Sequence, residues 1–209
     1  TLSCCLFGNL RYGEKLVSVA GHPYDTMEEV IGIRGDKRAS LMGHGILYDE
    51  VSLINDMDID FEGISNKIDK SVSMVLIQRS RGYSLRKSLD IKTIQKIVEI
   101  VKSKNPNCIC FVDNCYGEFV EIYEPSDFGA DLVAGSLIKN IGGGLAKTGG
   151  YIVGKKKYVQ ASANRLTAPG IGKESGASLG ANHDLLQGLF FLFQTIDELL
   201  LSHKALLRQ

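Results

Sequence analysis

A lysine, a carboxylate and a hydroxyl stand where two apolar runs of this sequence end. The run Asp131-Leu132-Val133-Ala134 leads into Gly135-Ser136-Leu137-Ile138-Lys139-Asn140-Ile141-Gly142-Gly143-Gly144, and upstream of it Cys108-Ile109-Cys110-Phe111-Val112 ends in Asp113-Asn114. Both runs read as buried strands of a parallel sheet, and the strand ends of open α/β sheets are where ligands bind. A lysine desolvated at such an edge has a lowered pKa, and its free amine forms a Schiff base with an aldehyde. An acid at the same edge keeps a pyridine nitrogen protonated, so that the ring draws electrons. Lys139 and Asp113 are together the pair that pyridoxal phosphate requires. Each also has a plainer reading. Lysines in glycine loops commonly face solvent, and an aspartate after a strand is an ordinary cap, so the two assignments stand or fall together.

The elements that must carry these residues can be followed along the chain. Residues 1–10 read as a helix, and Leu16 to Ala20 as a strand ending at Gly21. Asp25 or Thr26 suits the cap of a helix running through Ile31. Ile46 to Ile54 suggests a strand, Ile64 to Lys70 a short helix or loop, and Ser73 to Ile77 a continuous apolar strand. Ile91, Ile94, Ile97, Val98 and Val101 recur at helical spacing behind Ser88, a plausible N-cap. Asn105-Pro106-Asn107 ends that helix and the Asp113 strand begins at once. This strand–helix–strand unit implies parallel pairing. Tyr151 to Gly154 reads as a further strand open to antiparallel pairing, Lys155 to Arg165 as a helix, and the Leu-rich stretch from Ala177 as a long helix.

Further side chains fall near the same strand ends. Arg79 and Arg81 follow the Ile77 strand and have the planar donors that match a substrate carboxylate, or a surface role. Tyr24, after Pro23, offers a flat apolar face and a hydroxyl able to donate a proton. Lys147-Thr148 after the glycine run approaches the phosphate-binding pattern G-x-x-x-x-G-K-[ST]. Ala146 and Ile141 replace two required glycines, and Gly149-Gly150 follow where a helix should. The glycine run more readily lets backbones pass closely, as at a subunit contact. Lys173, in Gly170-Ile171-Gly172-Lys173, is a rival amine with no acid paired to it.

Composition bounds the rest. The 209 residues suffice for one domain with a sizeable core. The 24 basic residues balance the 24 acidic ones, which argues against a nucleic-acid or anionic-membrane partner. No apolar run has the length of a membrane span. Five cysteines without a C-x-x-C pair suggest free buried thiols in a reducing compartment, here the cytoplasm. Neither they nor the four histidines have metal-ligand spacing.

The order Val112-Asp113-Asn114, then Gly135-Ser136-Leu137-Ile138-Lys139, resembles fold-type-I pyridoxal phosphate enzymes of the cystathionine and methionine lyase group. Gly21-His22-Pro23-Tyr24-Asp25-Thr26, the stretch Gly142 to Tyr151, and Arg165-Leu166-Thr167-Ala168-Pro169-Gly170-Ile171-Gly172 resemble the aluminium resistance proteins of that group. The resemblance runs from residue 1 to about Gly188. It implies an α/β fold, a mostly parallel sheet covered by helices, with residues 1–209 forming the large cofactor-binding domain. It implies a carbon–sulfur lyase acting on a sulfur amino acid such as cystathionine or methionine, as a homodimer or homotetramer. Lys139 would hold pyridoxal 5'-phosphate, Tyr24 would stack on its ring, Cys115 would pack against it, and Ser136 would contact the phosphate. The chain opens without Met in mid-helix. The resemblance sets a phosphate-binding loop before Thr1 and a small domain after Gln209, so these residues alone are expected to hold the cofactor weakly. Two other classes are a stress protein that keeps the fold without the chemistry and a nucleotide-binding hydrolase using residues 142–148.

Overall fold

The computed structural model describes residues 1–174 and 180–192. Six strands form one sheet: β1 (Lys15–Ser18), β2 (Leu47–Glu50), β3 (Val72–Gln78), β4 (Ile109–Asp113), β5 (Leu132–Ser136) and β6 (Gly150–Gly154). Their order across the sheet is β2-β1-β3-β4-β5-β6. The first five are parallel, and β6 closes the edge antiparallel to β5.

Strand residues alternate between two cores. Val17, Val75, Ile77, Cys110, Val112 and Val133 face α3 (Phe61–Lys67) and α4 (Ile91–Lys104). Leu16, Met74, Leu76, Ile109, Phe111, Leu132 and Ala134 face α1 (Leu2–Asn9), α2 (Asp25–Ile31) and α5 (Lys156–Leu166). Burial on both faces is why the parallel strands read as unbroken apolar runs. In α4 the stripe Ile91, Ile94, Ile97, Val98 and Val101 is buried as its spacing predicts. A fully buried Ile such as Ile94 or Ile97 contributes roughly 1.5–3 kcal/mol over an exposed one. The helix begins at Asp90, whose Oδ1 accepts from the Thr93 N–H at 2.8 Å; Ser88 lies two residues too early to cap it. Tyr24 is the N-cap of α2, in extended backbone and without a side-chain cap bond, and Asp25 is already the first helical residue. Neither Asp25 nor Thr26 caps that helix.

α1 crosses α5 at Gly8, where a Cβ would stand 2.8 Å from the Ala161 carbonyl oxygen. Asn9 Nδ2 secures the crossing by donating to the Tyr158 carbonyl at 3.2 Å and the Ser162 Oγ at 3.0 Å. Of the long C-terminal helix, residues 181–192 are helical, forming α6; the expected remainder lies outside the described residues.

Candidate active site

The pleat aims the site. On β4, Asp113 is in phase with Ile109 and Phe111, and on β5, Ser136 is in phase with Leu132 and Ala134. Both therefore turn to the face covered by α1 and α2, at the carboxyl ends of parallel strands. Asp113 lies beside Ala134 and Gln78 in the ladder. A cleft of about 480 Å³ opens there, walled by Tyr24, Arg81, Asp113, Cys115, Tyr116 and Lys139. A second lobe of about 260 Å³ shares Tyr24, Cys115 and Lys139 and runs to Ser136 and the first turn of α1, Thr1 to Ser3. The sheet edge thus unites Lys139, Asp113, Tyr24, Cys115, Ser136 and Arg81.

Asp113 is 3% exposed, and its Oδ1 accepts from the Cys115 backbone N–H at 3.1 Å. Burial raises its pKa, against the opposing pull of the Cys115 hydrogen bonds and the Lys139 charge. The Cys115 thiol is pushed up to about 12, by burial first and then by the Asp113 charge, so it is a neutral thiol near pH 7. Burial and the same Asp113 charge push the Tyr24 phenol above its ordinary range as well. Tyr24 is tied to β3 through its backbone N–H, which donates to Gln78 Oε1 at 3.3 Å.

Lys139 departs from expectation in its charge. Burial depresses the amine's pKa, but Cys115, Tyr116 and Asp113 outweigh burial and the net shift is upward. Half-buried at the cleft, Lys139 is therefore an ammonium near pH 7, with its Nζ 4.3 Å from the centre of the Tyr116 ring. Among the described residues neither Lys139 nor Asp113 has an ion-pair partner within 4.0 Å.

Arg79 does not belong to the cleft. It continues β3 in the phase of Val75 and Ile77, so it points to the opposite face of the sheet from Asp113. There it is 3% exposed. Nη1 donates to Asn114 Oδ1 (2.8 Å) and the Gly117 carbonyl (2.9 Å), Nη2 to Glu121 Oε1 (2.7 Å), and Nε to the Leu89 carbonyl (3.3 Å). With these donors committed, it braces the loop after β4 instead of holding a substrate.

The rival lysines fall away on geometry. Lys147 and Lys173 are exposed and line neither lobe. The Gly142 to Thr148 stretch begins at the end of a 3-10 turn (Asn140–Gly142) and continues as turn and irregular backbone, with Gly143 and Gly144 at φ 52° and 75°, leading to β6 and not to a helix. It is no phosphate loop. Its close backbone approach is within the chain: a Cβ on Gly188 of α6 would stand 2.1 Å from the Gly142 carbonyl oxygen.

Three side chains around the site went unread. Tyr151 on β6 donates to Glu118 Oε1 at 2.9 Å and accepts from Asn114 Nδ2 at 3.2 Å, beneath the loop that carries Cys115 and Tyr116. Glu118 is buried, its pKa raised chiefly by that burial. A Cβ on Gly135 would collide with both Glu118 and Tyr151, so glycine is required there. Tyr116 completes the set. No periodicity marks these residues, because their contacts join segments far apart in sequence.

No group of three or more His, Cys, Asp or Glu among the described residues suits a metal. The donor set fits pyridoxal phosphate instead. A buried carboxylate faces the cleft without a cationic partner, an amine stands across from it, and an aromatic side chain lines the same wall. The helix start Thr1 to Ser3 adjoins a serine hydroxyl, which suits a phosphate.

Comparison with known proteins agrees with this geometry. The family model described as methionine gamma-lyase matches residues 1–207. The uncharacterized protein YnbB of Bacillus subtilis (strain 168) is 51% identical over 190 residues, which are 90% of this chain and 45% of that protein. A crystal structure of a Listeria innocua protein described as involved in aluminum resistance superposes with a TM-score of 0.88 at 52% identity, covering 91% of this chain and 47% of the other. The carbon-sulfur lyase involved in aluminum resistance from Clostridium novyi NT gives a TM-score of 0.86 at 48% identity, covering 91% and 46%. The chain thus spans about half the length of these relatives. A match that runs nearly end to end, over a sheet edge where lysine and aspartate share one cleft, makes this chain a member of the methionine gamma-lyase family.

Proposed function

We propose that this chain is the cofactor-binding large domain of a pyridoxal phosphate-dependent carbon–sulfur lyase acting on a sulfur amino acid. The observation that carries the reading is the shared cleft of Lys139 and Asp113, a cation and a buried acid each without an ion-pair partner among the described residues. When bound, the cofactor supplies an electron sink for carbanion character at the substrate's α carbon. The chain's own residues do the rest. Asp113 holds a positive charge on the ring nitrogen, since burial makes an unpaired carboxylate there costly. Tyr24 covers one ring face, and its phenol, kept protonated, is a proton donor at the cleft. Lys139 anchors the cofactor and, once free, carries protons at substrate carbons. Arg81, exposed on the rim, is the guanidinium available to a substrate carboxylate. Ser136 and the first turn of α1 receive the phosphate. Val120, Ile122 and Tyr123, exposed apolar side chains on the segment that follows the Cys115–Tyr116 loop, support assembly as a homodimer or homotetramer.

Borohydride reduction of the cofactor-loaded protein followed by peptide mapping tests the reading. The stable label is expected on Lys139, and Lys139→Ala is expected to lose both label and turnover. A label on Lys147 or Lys173 would overturn it.

A further inference from the structure

Tyr116 follows Cys115 in the loop after β4, and its backbone is left-handed at φ 70°, a conformation uncommon for a bulky side chain. Such a backbone persists only where its surroundings over-determine it, and such residues cluster at functional sites. Here three contacts do so. The Gly117 N–H donates to the Asn114 carbonyl at 2.8 Å, closing the turn. Arg79 holds the Gly117 carbonyl from the opposite side of the sheet. Asn140 Nδ2, next to Lys139, donates to the Tyr116 carbonyl at 3.0 Å. This last bond ties the lysine's own loop to the tyrosine. The outcome is a ring standing over the Lys139 Nζ, 4.3 Å from its centre, within the range where a ring face attracts a cation. Among the described residues the hydroxyl donates to no carboxylate; the ring face, together with the Cys115 side chain, is what meets the ammonium.

We propose that Tyr116 is a positioning residue for Lys139, its ring face being the resting place of the ammonium whenever the amine is not joined to another group. This gives the backbone at Tyr116 a purpose: it turns the ring inward to the cleft while Asn140 keeps ring and lysine in one rigid unit. It also explains why Lys139 stays near Asp113 without forming an ion pair with it, leaving that carboxylate for the ring nitrogen. The other charged and titratable groups walling the lobe are Tyr24, Asp25, Arg81, Tyr83, Asp113 and Cys115. The functional meaning rests on Lys139 being the anchoring lysine, but the contact itself is measurable without cofactor.

Competitive trace acetylation of the cofactor-free protein across pH, read by mass spectrometry on the Lys139 peptide, gives the pKa of that amine, with exposed Lys147 as internal reference. Tyr116→Leu is expected to lower the Lys139 pKa by about half a unit, so that below its pKa the amine labels about threefold faster. Tyr116→Phe should keep the original value, and Tyr116→Trp should raise it, because indole is the strongest cation-binding ring. An unchanged pKa in Tyr116→Leu would overturn the proposal, and so would equal losses in the Leu and Phe variants. Should the Leu variant fail to fold, the Phe and Trp pair decides: a fall in pKa with Trp overturns the proposal, and a rise sustains it. Failure here with the borohydride label still on Lys139 would reject the tyrosine's role alone.

Discussion

Replacing Arg79 by alanine separates a brace from a substrate ligand. Alanine strips four hydrogen bonds from a side chain that is 3% exposed. The Asn114 Oδ1 and the Gly117 carbonyl, held at 2.8 and 2.9 Å, lose a charged donor in a buried setting, at about 1–3 kcal/mol each. Glu121, with its side chain 37% exposed, rehydrates and adds no more than about 1 kcal/mol. The Leu89 carbonyl, at 3.3 Å, adds less. The sum is roughly 2–8 kcal/mol, and for a chain of this length each 1 kcal/mol moves Tm by about 2–4 °C. Arg79→Ala is therefore expected to melt roughly 4–32 °C below the parent in scanning calorimetry. Arg81→Ala, which removes an exposed side chain, should melt within about 0.5 kcal/mol of the parent and instead raise KM in a sulfur-release assay. An Arg79→Ala protein that melts like the parent while KM rises would refute the assignment of the two arginines.

Asp113→Asn should retain cofactor, seen as its visible absorption, while turnover falls by at least about 10²-fold, as when a group stabilising developing charge is lost; normal turnover would reduce Asp113 to a structural acceptor. Asp131 is buried between Lys102 and Lys155, each with Nζ at 2.5 Å, and accepts from the Cys110 N–H at 2.8 Å. Burial works to raise its pKa, but these partners prevail and hold it below the ordinary value. A depressed carboxylate stabilises the fold above its unfolded pKa and loses that contribution as pH falls through the folded value. Asp131→Asn should accordingly lower Tm near neutrality and flatten the acid limb of the melting profile, and an unaltered limb would contradict the pairing. Gly188→Ala, with no room for a Cβ against Gly142, should loosen α6 from the lysine loop, and limited proteolysis between α5 and α6 should accelerate.

Sheet phase explains both what could be read from the residues and what was misread. Lys139, Asp113, Tyr24 and Ser136 follow apolar runs whose ends share one edge, so adjacency in the fold follows from where the runs stop. Arg79 stops one residue out of step with Met74 and Leu76, and the two-residue repeat alone sends it to the other face. That clue lay in the sequence and was outweighed by the chemistry of guanidinium. The misassigned caps, Ser88 for Asp90 and Asp25 or Thr26 for Tyr24, reflect choices among neighbouring residues that only backbone geometry decides. The upward shift of Lys139 needed knowledge of how Cys115, Tyr116 and Asp113 gather about it, and the Cys115–Tyr116 loop is held by contacts with Asn140 and Arg79. Glu118 and Tyr151 meet across 33 residues of chain, beyond the reach of any local pattern.

The α1–α5 crossing has a kinetic consequence. Asn9 bonds to partners 149 and 153 residues further along the chain, and α1 supplies one wall of the lobe that Ser136 completes. During synthesis the apolar side of α1, with Cys5 and Leu6, is fully covered only once β5 and α5 have emerged to join the sheet residues it packs on. Contacts so distant are the slowest to form and leave the nascent chain open to aggregation. The lobe beside Ser136 is thus expected to gain its α1 wall late, after the strands that carry Asp113 and Ser136 have paired.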